Sequence, residues 1–243
     1  MTSNTLYYVR AYASNKAGTG YGQEISFTTL KDIEYGSERD IEGNTYKTVQ
    51  IGTQVWLAEN LKTTKYNDGT GIINITDYVK WGNLTTPAFC WVGNNVRLKD
   101  TLGAFYNWYA ASSGKLCPVG WHVPSDGEWH NLVKFLDPNA ELNPGESDVA
   151  GIKMKVTGNK YWIYYMPEAT NESGFSALGA GYRGVESVTV GSDYFTGFIG
   201  AWWTSTEFDP QYSFGRWLNS RYPRVDRPQL LKWFGLSVRC IKD

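Results

Sequence analysis

The chain has 243 residues, 42% of them hydrophobic, which is enough to bury one large core or two smaller ones. Its 23 Lys and Arg balance 24 Asp and Glu, so no summed field concentrates nucleic acid or an anionic membrane around it. No apolar run reaches the roughly 18 residues of a membrane span, and the N-terminus lacks the basic, apolar and small-residue regions of a signal peptide.

Residues 5–30, TLYYVRAYASNKAGTGYGQEISFTTL, are two alternating runs around a Gly-rich turn and predict a β-hairpin. Tyr8, Arg10 and Tyr12 fall on one face, with Tyr7, Val9 and Ala11 on the other. Met1 leads straight into this strand pattern, which points to a start codon placed on a fragment of something longer. The hairpin resembles the last two strands and terminal Thr-Thr of a fibronectin type III or related immunoglobulin-like domain. Such a sandwich takes about seven strands, so the resemblance implies residues 1–30 are the tail of a truncated domain; the alternative is that they join the main fold. Residues 31–45, beginning KDIEYGSERDIEGN, are polar and acidic and predict a linker, with a second domain over 46–243.

YKTVQIGTQVWLAENL predicts two short strands joined at a Gly-Thr turn. Loop follows through KYNDGTGIINITD, where NDGT at 67–70 fits a turn better than a cation loop. LGAFYNWYAASSG, 102–114, places Phe105, Trp108 and Tyr109 at helical spacing with Gly114 as a C-cap, which predicts a short helix. In VPSDGEWHNLVKFLDP, Ser125 or Asp126 N-caps a helix and Glu128 stands three after Ser125, as in a capping box. Trp129, Leu132, Val133 and Leu136 give that helix one apolar face, and Pro138 stops it. From 151 onward short apolar pieces such as FSALGAGYRG, YFTGFIGAWWTSTE and YSFGRWLNS alternate with Gly, Asn, Asp and Pro, which predicts an α+β fold of short strands, few helices and long irregular loops.

The 11 Trp, 17 Tyr and 26 Gly fit a β- and loop-rich chain whose aromatics fill the core. Cys90, Cys117 and Cys240 are too few and too scattered for a zinc module or a redox Cys-x-x-Cys, and one disulfide plus one free thiol is the simplest arithmetic. Both histidines, His122 and His130, lie near Cys117, yet no His-x-x-x-His pair exists and His122 precedes the predicted helix, so no metal site is expected. His122 is expected at the helix entry and His130 on the solvent face.

IGTQVWLAENL, GAFYNWYAA, CPVGWHVPSDGEWHNL, WWTSTE and GLSVRCIKD, in this order, resemble the Fibrobacter succinogenes major paralogous domain, found in surface proteins and lipoproteins of Bacteroidetes and Fibrobacteres. The likeness spans about Tyr46 to Asp243. That family in turn is similar to the C-type lectin-like fold, including the sulfatase-modifying group. This implies short antiparallel strands in a curled sheet, about two helices, paired N- and C-terminal strands, and long loops that carry a ligand surface. It also implies a Cys117–Cys240 disulfide, leaving Cys90 unpaired, and a place outside the cell or on its surface. Where the sulfatase-modifying relatives carry active cysteines, this chain reads NSRYPRVDRPQLLKWFG, so the likeness extends to fold and not to that chemistry. No Glu-Pro-Asn or Trp-Asn-Asp motif occurs, so calcium-dependent lectin activity and cofactors are not expected.

The C-terminal quarter crowds flat aromatics with donors that suit a glycan, peptide or carboxylate: Trp202, Trp203, Glu207, Arg216, Trp217, Asn219, Arg221, Tyr222, Arg224 and Lys232. Trp202 and Trp203 compete as core residues, and Arg216, Trp217, Arg221 and Arg224 compete as a solvated strand face. The expectation is a non-enzymatic adhesion module that binds a glycan or a surface protein, with no nucleic acid and no membrane insertion. A phage or retroelement-diversified receptor binder is one alternative. A carboxylate-dependent hydrolase built on Glu128 or Glu207 is the other.

Overall fold

The computed structural model describes residues 1–141, 146–164, 166–185, 193 and 195–243. The chain divides into two units, residues 1–34 and 35–243.

In the first unit, Leu6–Val9 pairs antiparallel with Ile25–Thr28, and Tyr12–Asn15 pairs with Gly18–Tyr21. The predicted hairpin is therefore present, broken midway into two ladders. Alternation places Tyr7 opposite Phe27, where the rings stack 5.8 Å apart. On the second ladder Arg10 lies over the Tyr21 ring, 4.1 Å from its centroid.

The second unit starts earlier than composition predicts. Tyr35–Arg39 pairs along its length with Thr45–Ile51, so the expected linker over 31–45 is corrected to an edge strand and its turn. The acidic residues that mimic a linker act as hydrogen-bond acceptors here. Asp40 caps the turn, accepting from the Asn44 backbone N–H at 2.9 Å and the Tyr46 hydroxyl at 2.7 Å. Glu38 accepts from Trp121 Nε1 at 2.9 Å. The sheet continues through Gln54–Leu57 and Ile241–Lys242 to Trp121–His122, joining the start of the unit to its end.

A disulfide links Cys117 to Cys240 across a separation of 123 residues, beside that junction. Cys90 is free and buried, and burial pushes its thiol far above the usual range. Among the described residues there are five α-helices rather than about two, four of them only one turn or little more, in a mixed fold dominated by strands in several small sheets.

The helix Asp126–Leu136 has the predicted capping box: Glu128 N–H donates to Ser125 Oγ at 3.2 Å, and Ser125 N–H donates to Glu128 Oε2 at 2.7 Å. Its face of Trp129, Leu132, Val133 and Leu136 is buried. The helix predicted over 102–114 is instead a strand, Ala104–Tyr106, followed by one turn, Trp108–Ala111, which Asn107 caps by accepting from Ala110 N–H at 3.1 Å. Gly103 precedes the strand and ends the helical turn Lys99–Leu102. Its φ of +79° suits glycine, and a Cβ there would stand 2.7 Å from the Asn60 Cβ and 2.8 Å from the Leu61 carbonyl.

A second sheet forms around the long strands Ile199–Glu207 and Tyr212–Asn219, with Val225–Asp226 and Gln229–Leu231 along the outer side of the latter. Both faces of Ile199–Glu207 are covered. Trp202 packs against Trp129 of the helix at 6.2 Å and against Phe175 at 5.7 Å. Trp203, pointing the other way, donates its indole N–H to the Tyr106 carbonyl at 2.8 Å within the main core. Arg239 is fully buried on the Trp202 side, over the Phe175 ring at 4.6 Å, and donates to Asn60 Oδ1 at 2.8 Å and to the carbonyls of Leu57, Phe175 and Ser176.

Candidate functional site

The coverage of both sheet faces sorts the expected binding residues into two groups. Trp203 and Arg216 are fully buried and Lys232 is 5% exposed, so all three are corrected from ligand contacts to internal structure. Arg216 lies opposite Trp202 in the register, on the helix side of the sheet. Its Nη1 donates to Asp126 Oδ1 at 2.7 Å and its Nη2 to the Asp126 carbonyl at 3.0 Å. Arg227 grips the same carboxylate at 2.6 Å.

Burial alone would raise the Asp126 carboxyl, and the two guanidiniums overcome it and hold the group low. Glu146, with a fully buried side chain, lies 3.1 Å from Arg216 but off the hydrogen-bonding line, and burial dominates there and raises its pKa. His130, expected in solvent, is half-buried with Nδ1 3.4 Å from Glu146, and belongs to this cluster instead. Lys232 points at Glu207 Oε1, 2.6 Å away, with the Trp108 ring beneath it at 4.6 Å. The two residues thus neutralise each other.

The second group converges. Strand Tyr212–Asn219 ends in a turn that brings Trp217, Asn219, Arg221, Tyr222 and Arg224 to one edge, where Arg221, Tyr222 and Arg224 are exposed. Asn219 builds the turn by accepting from Arg221 N–H at 2.9 Å through its Oδ1. From beneath, the buried Lys155 ammonium donates to the carbonyls of Asn219 at 2.6 Å and Tyr222 at 2.5 Å. Burial lowers the Lys155 pKa to about 8. The turn is therefore held by a group that sequence reasoning missed.

Four aromatics missing from the expected set join this edge, Tyr182 from the core and Phe195, Phe198 and Tyr164 nearer the surface. Trp217 stacks on Tyr182 at 5.2 Å, and Tyr182 in turn stacks on Phe195 at 5.8 Å and on the core residue Phe234 at 5.8 Å. Phe195 meets Phe198 edge-on at 6.1 Å, and Phe198 meets Tyr164 at 5.8 Å. Arg221 closes the row by lying over the Tyr164 ring, 4.3 Å from its centroid, and hydrogen-bonding its hydroxyl. Phe195 holds a φ of +59°, an uncommon and costly backbone state for an aromatic residue, yet its side chain is exposed. Two buried polar atoms at this edge, Trp217 Nε1 and Ser220 Oγ, lack hydrogen-bond partners. Of the arginines, Arg224 is already paired with Asp226 at 2.8 Å.

An open cavity of about 520 Å³ adjoins this surface, sharing the segment 195–198 with it: Thr196 and Gly197 line the cavity, while Phe195 and Phe198 belong to the aromatic row. No group of three or more His, Cys, Asp or Glu suited to a metal ion occurs among the described residues.

The two carboxylates weighed for hydrolysis are both engaged. Glu207 pairs with Lys232, and Glu128 caps its helix while its Oε1 meets His122 Nε2 at 2.9 Å. His122 also reaches Asp243 at 2.6 Å, tying the helix entry to the last residue. Burial would lower the His122 pKa, but hydrogen bonds to Asp243 and Glu128 outweigh it and raise the value above 6.5. A raised histidine contributes stability fully below its unfolded pKa and loses it as pH rises through the folded one. His122→Gln is therefore expected to remove a pH-dependent gain of under about 1 kcal/mol, small because these side chains are partly solvated. Urea midpoints at pH 5.5 and 8.5 check this: the wild-type difference across that range shrinks in the variant.

A family model described as Fibrobacter succinogenes major domain matches residues 49–242. No curated protein and no solved structure matches the chain.

Proposed function

The chain belongs to the Fibrobacter succinogenes major domain family, and on that footing we propose that it is a non-enzymatic module that holds a glycan at a bacterial cell surface. The observation that carries this reading is the turn at Asn219–Arg224, which presents Arg221, Tyr222 and Arg224 to solvent beside the Tyr164–Phe198–Phe195–Tyr182–Trp217 aromatic row. Sugars offer apolar C–H faces and a rim of hydroxyls, and flat rings interleaved with guanidinium donors complement both.

The finer fold assignment is part of the proposal. A C-type lectin-like domain accounts for the paired ends of the unit, the single long helix and the disulfide beside them. The residues 1–30 are read as fibronectin type III-like strands preceding it. A disulfide that closes so long a loop suits an oxidising compartment, which supports the extracellular placement. Binding is favoured over hydrolysis because Glu128 and Glu207 are committed to helix capping and to Lys232.

Arg221→Ala and Tyr222→Ala together are expected to weaken glycan binding at least about tenfold, the loss of one or two good contacts, with the melting temperature unchanged. Glycan-array screening of folded wild type and double variant checks it. A blank array alongside adhesion to a protein-coated surface would move the ligand to the protein class, and blanks in both assays would sink the binding reading.

A further inference from the structure

The cavity beside the aromatic row is not one of the positions that sequence reasoning singled out, and its lining has a definite chemical character. Its floor is apolar, from Leu98, Leu102, Trp162 and Ile163. Thr101, Asn159 and Thr196 supply neutral donors and acceptors at its wall. Among the described residues the one charged lining group is Lys160, whose ammonium rests over the Tyr161 ring at 4.9 Å. Among the described residues no carboxylate lines the space, and an anionic guest finds Lys160.

The wall is built to stay open. Gly179 and Gly197 form part of it, joined by a Gly197 N–H to Gly179 carbonyl bond of 2.7 Å, while Ile163 N–H donates to the Gly197 carbonyl at 2.8 Å. A Cβ on Gly179 would stand 2.7 Å from the Tyr161 carbonyl and 3.1 Å from the Trp162 ring, and Gly197 holds φ at +82°. A side chain on Gly179 would press on the Tyr161–Trp162 wall, while one on Gly197 has room beside Ile163 but is opposed by the positive φ. At about 520 Å³ the cavity falls within the range of small-molecule sites and takes one or two sugar rings.

Position supplies the last step. Ile163 lines the cavity, and the next residue, Tyr164, carries the Arg221 contact of the exposed face. This adjacency puts the cavity within reach of the end of a sugar chain bound on that face. We infer that the cavity is a terminal subsite for an acidic sugar, with the ring on Trp162 and Ile163, hydroxyls on Asn159 and the threonines, and the carboxylate at Lys160. The inference rests on the reading of the neighbouring face as glycan-binding and names the class of glycan it takes.

The test titrates the full chain calorimetrically with a galacturonic acid trisaccharide and with the matching neutral galactose trisaccharide. Three variants are compared: Lys160→Gln, Thr101→Trp to close the mouth from an exposed position, and Arg221→Ala on the face. Wild type is expected to prefer the acidic probe. Lys160→Gln is expected to cost the acidic probe at least about tenfold, the worth of one charge-assisted hydrogen bond, and to leave the neutral probe nearly unchanged. Thr101→Trp is expected to weaken both with the melting temperature held. Equal affinity for the two probes, or an acidic-probe affinity untouched by both cavity variants, overturns the inference. If only Arg221→Ala then reduces binding, the glycan-binding face stands without the subsite. If the array is blank yet the acidic probe is bound and lost in Lys160→Gln, the subsite stands and the face falls.

Discussion

Arg216→Met is expected to destabilise the domain by about 3–5 kcal/mol, the usual cost of removing one partner from a buried ion cluster. The guanidinium is fully buried between Asp126 and Glu146, and Glu146 has no exposed side-chain surface. Without Arg216, Asp126 keeps Arg227 at 2.6 Å, while the cations left near Glu146 among the described residues are His130 at 3.4 Å and Arg227 at 3.8 Å. An uncompensated carboxylate in that setting drives the loss, so adding Glu146→Gln to Arg216→Met should recover part of it. Urea denaturation of the single and double variants measures both effects. Ligand affinity of the folded Arg216→Met protein should match wild type, because no atom of Arg216 reaches solvent. A single variant that unfolds at the wild-type midpoint would remove the cluster from this account of the fold.

Breaking the Cys117–Cys240 bridge has a comparable effect by another route. Closing a loop with a separation of 123 residues restricts the unfolded chain by about 5 kcal/mol in the chain-entropy description. Both cysteines sit in the core, so Cys240→Ser also places a hydroxyl in an apolar site. Thermal melts with and without reductant, and of Cys240→Ser, should show a drop of many degrees. Cys90 provides the control, since its buried thiol should resist thiol reagents until the chain unfolds. Reduced and oxidised protein melting together would contradict a stabilising bridge.

What the sequence made legible was mostly local. The capping box at Ser125–Glu128 and the apolar face behind it are encoded within a dozen residues, and they form as read. The disulfide was legible through family likeness, because spacing alone does not pair three cysteines. The edge strand Tyr35–Arg39 was not legible: its acidic residues imitate a linker, and only their distant partners, such as Trp121 for Glu38, reveal a sheet.

Trp203, Arg216 and Lys232 were misplaced for a related reason. Alternation tells which residues share a face, but not that both faces of the sheet are covered. The buried arginine looks like a surface one until Asp126, ninety positions away, comes to meet it. Tyr164, Phe198 and Lys155 join the site through contacts across long stretches of chain, Arg221 and Tyr164 being 57 residues apart. Nothing near them in sequence marks them. Trp217, Arg221 and Tyr222 can be grouped from the sequence because one strand end and its turn carry them together.

The central claim is that ligand is held at the Arg221–Tyr222 edge and its aromatic row, and not by the buried residues of the same C-terminal quarter. Indole N–H resonances report on it directly, with Trp217→Phe and Trp203→Phe assigning the two signals during titration with a glycan selected on the array. The account predicts that the Trp217 signal moves with ligand in a saturable way, that the Trp203 signal stays in place, and that Arg221→Ala with Tyr222→Ala abolishes the shift. A stationary Trp217 signal under saturating ligand, or a shift that survives the double variant, would contradict it.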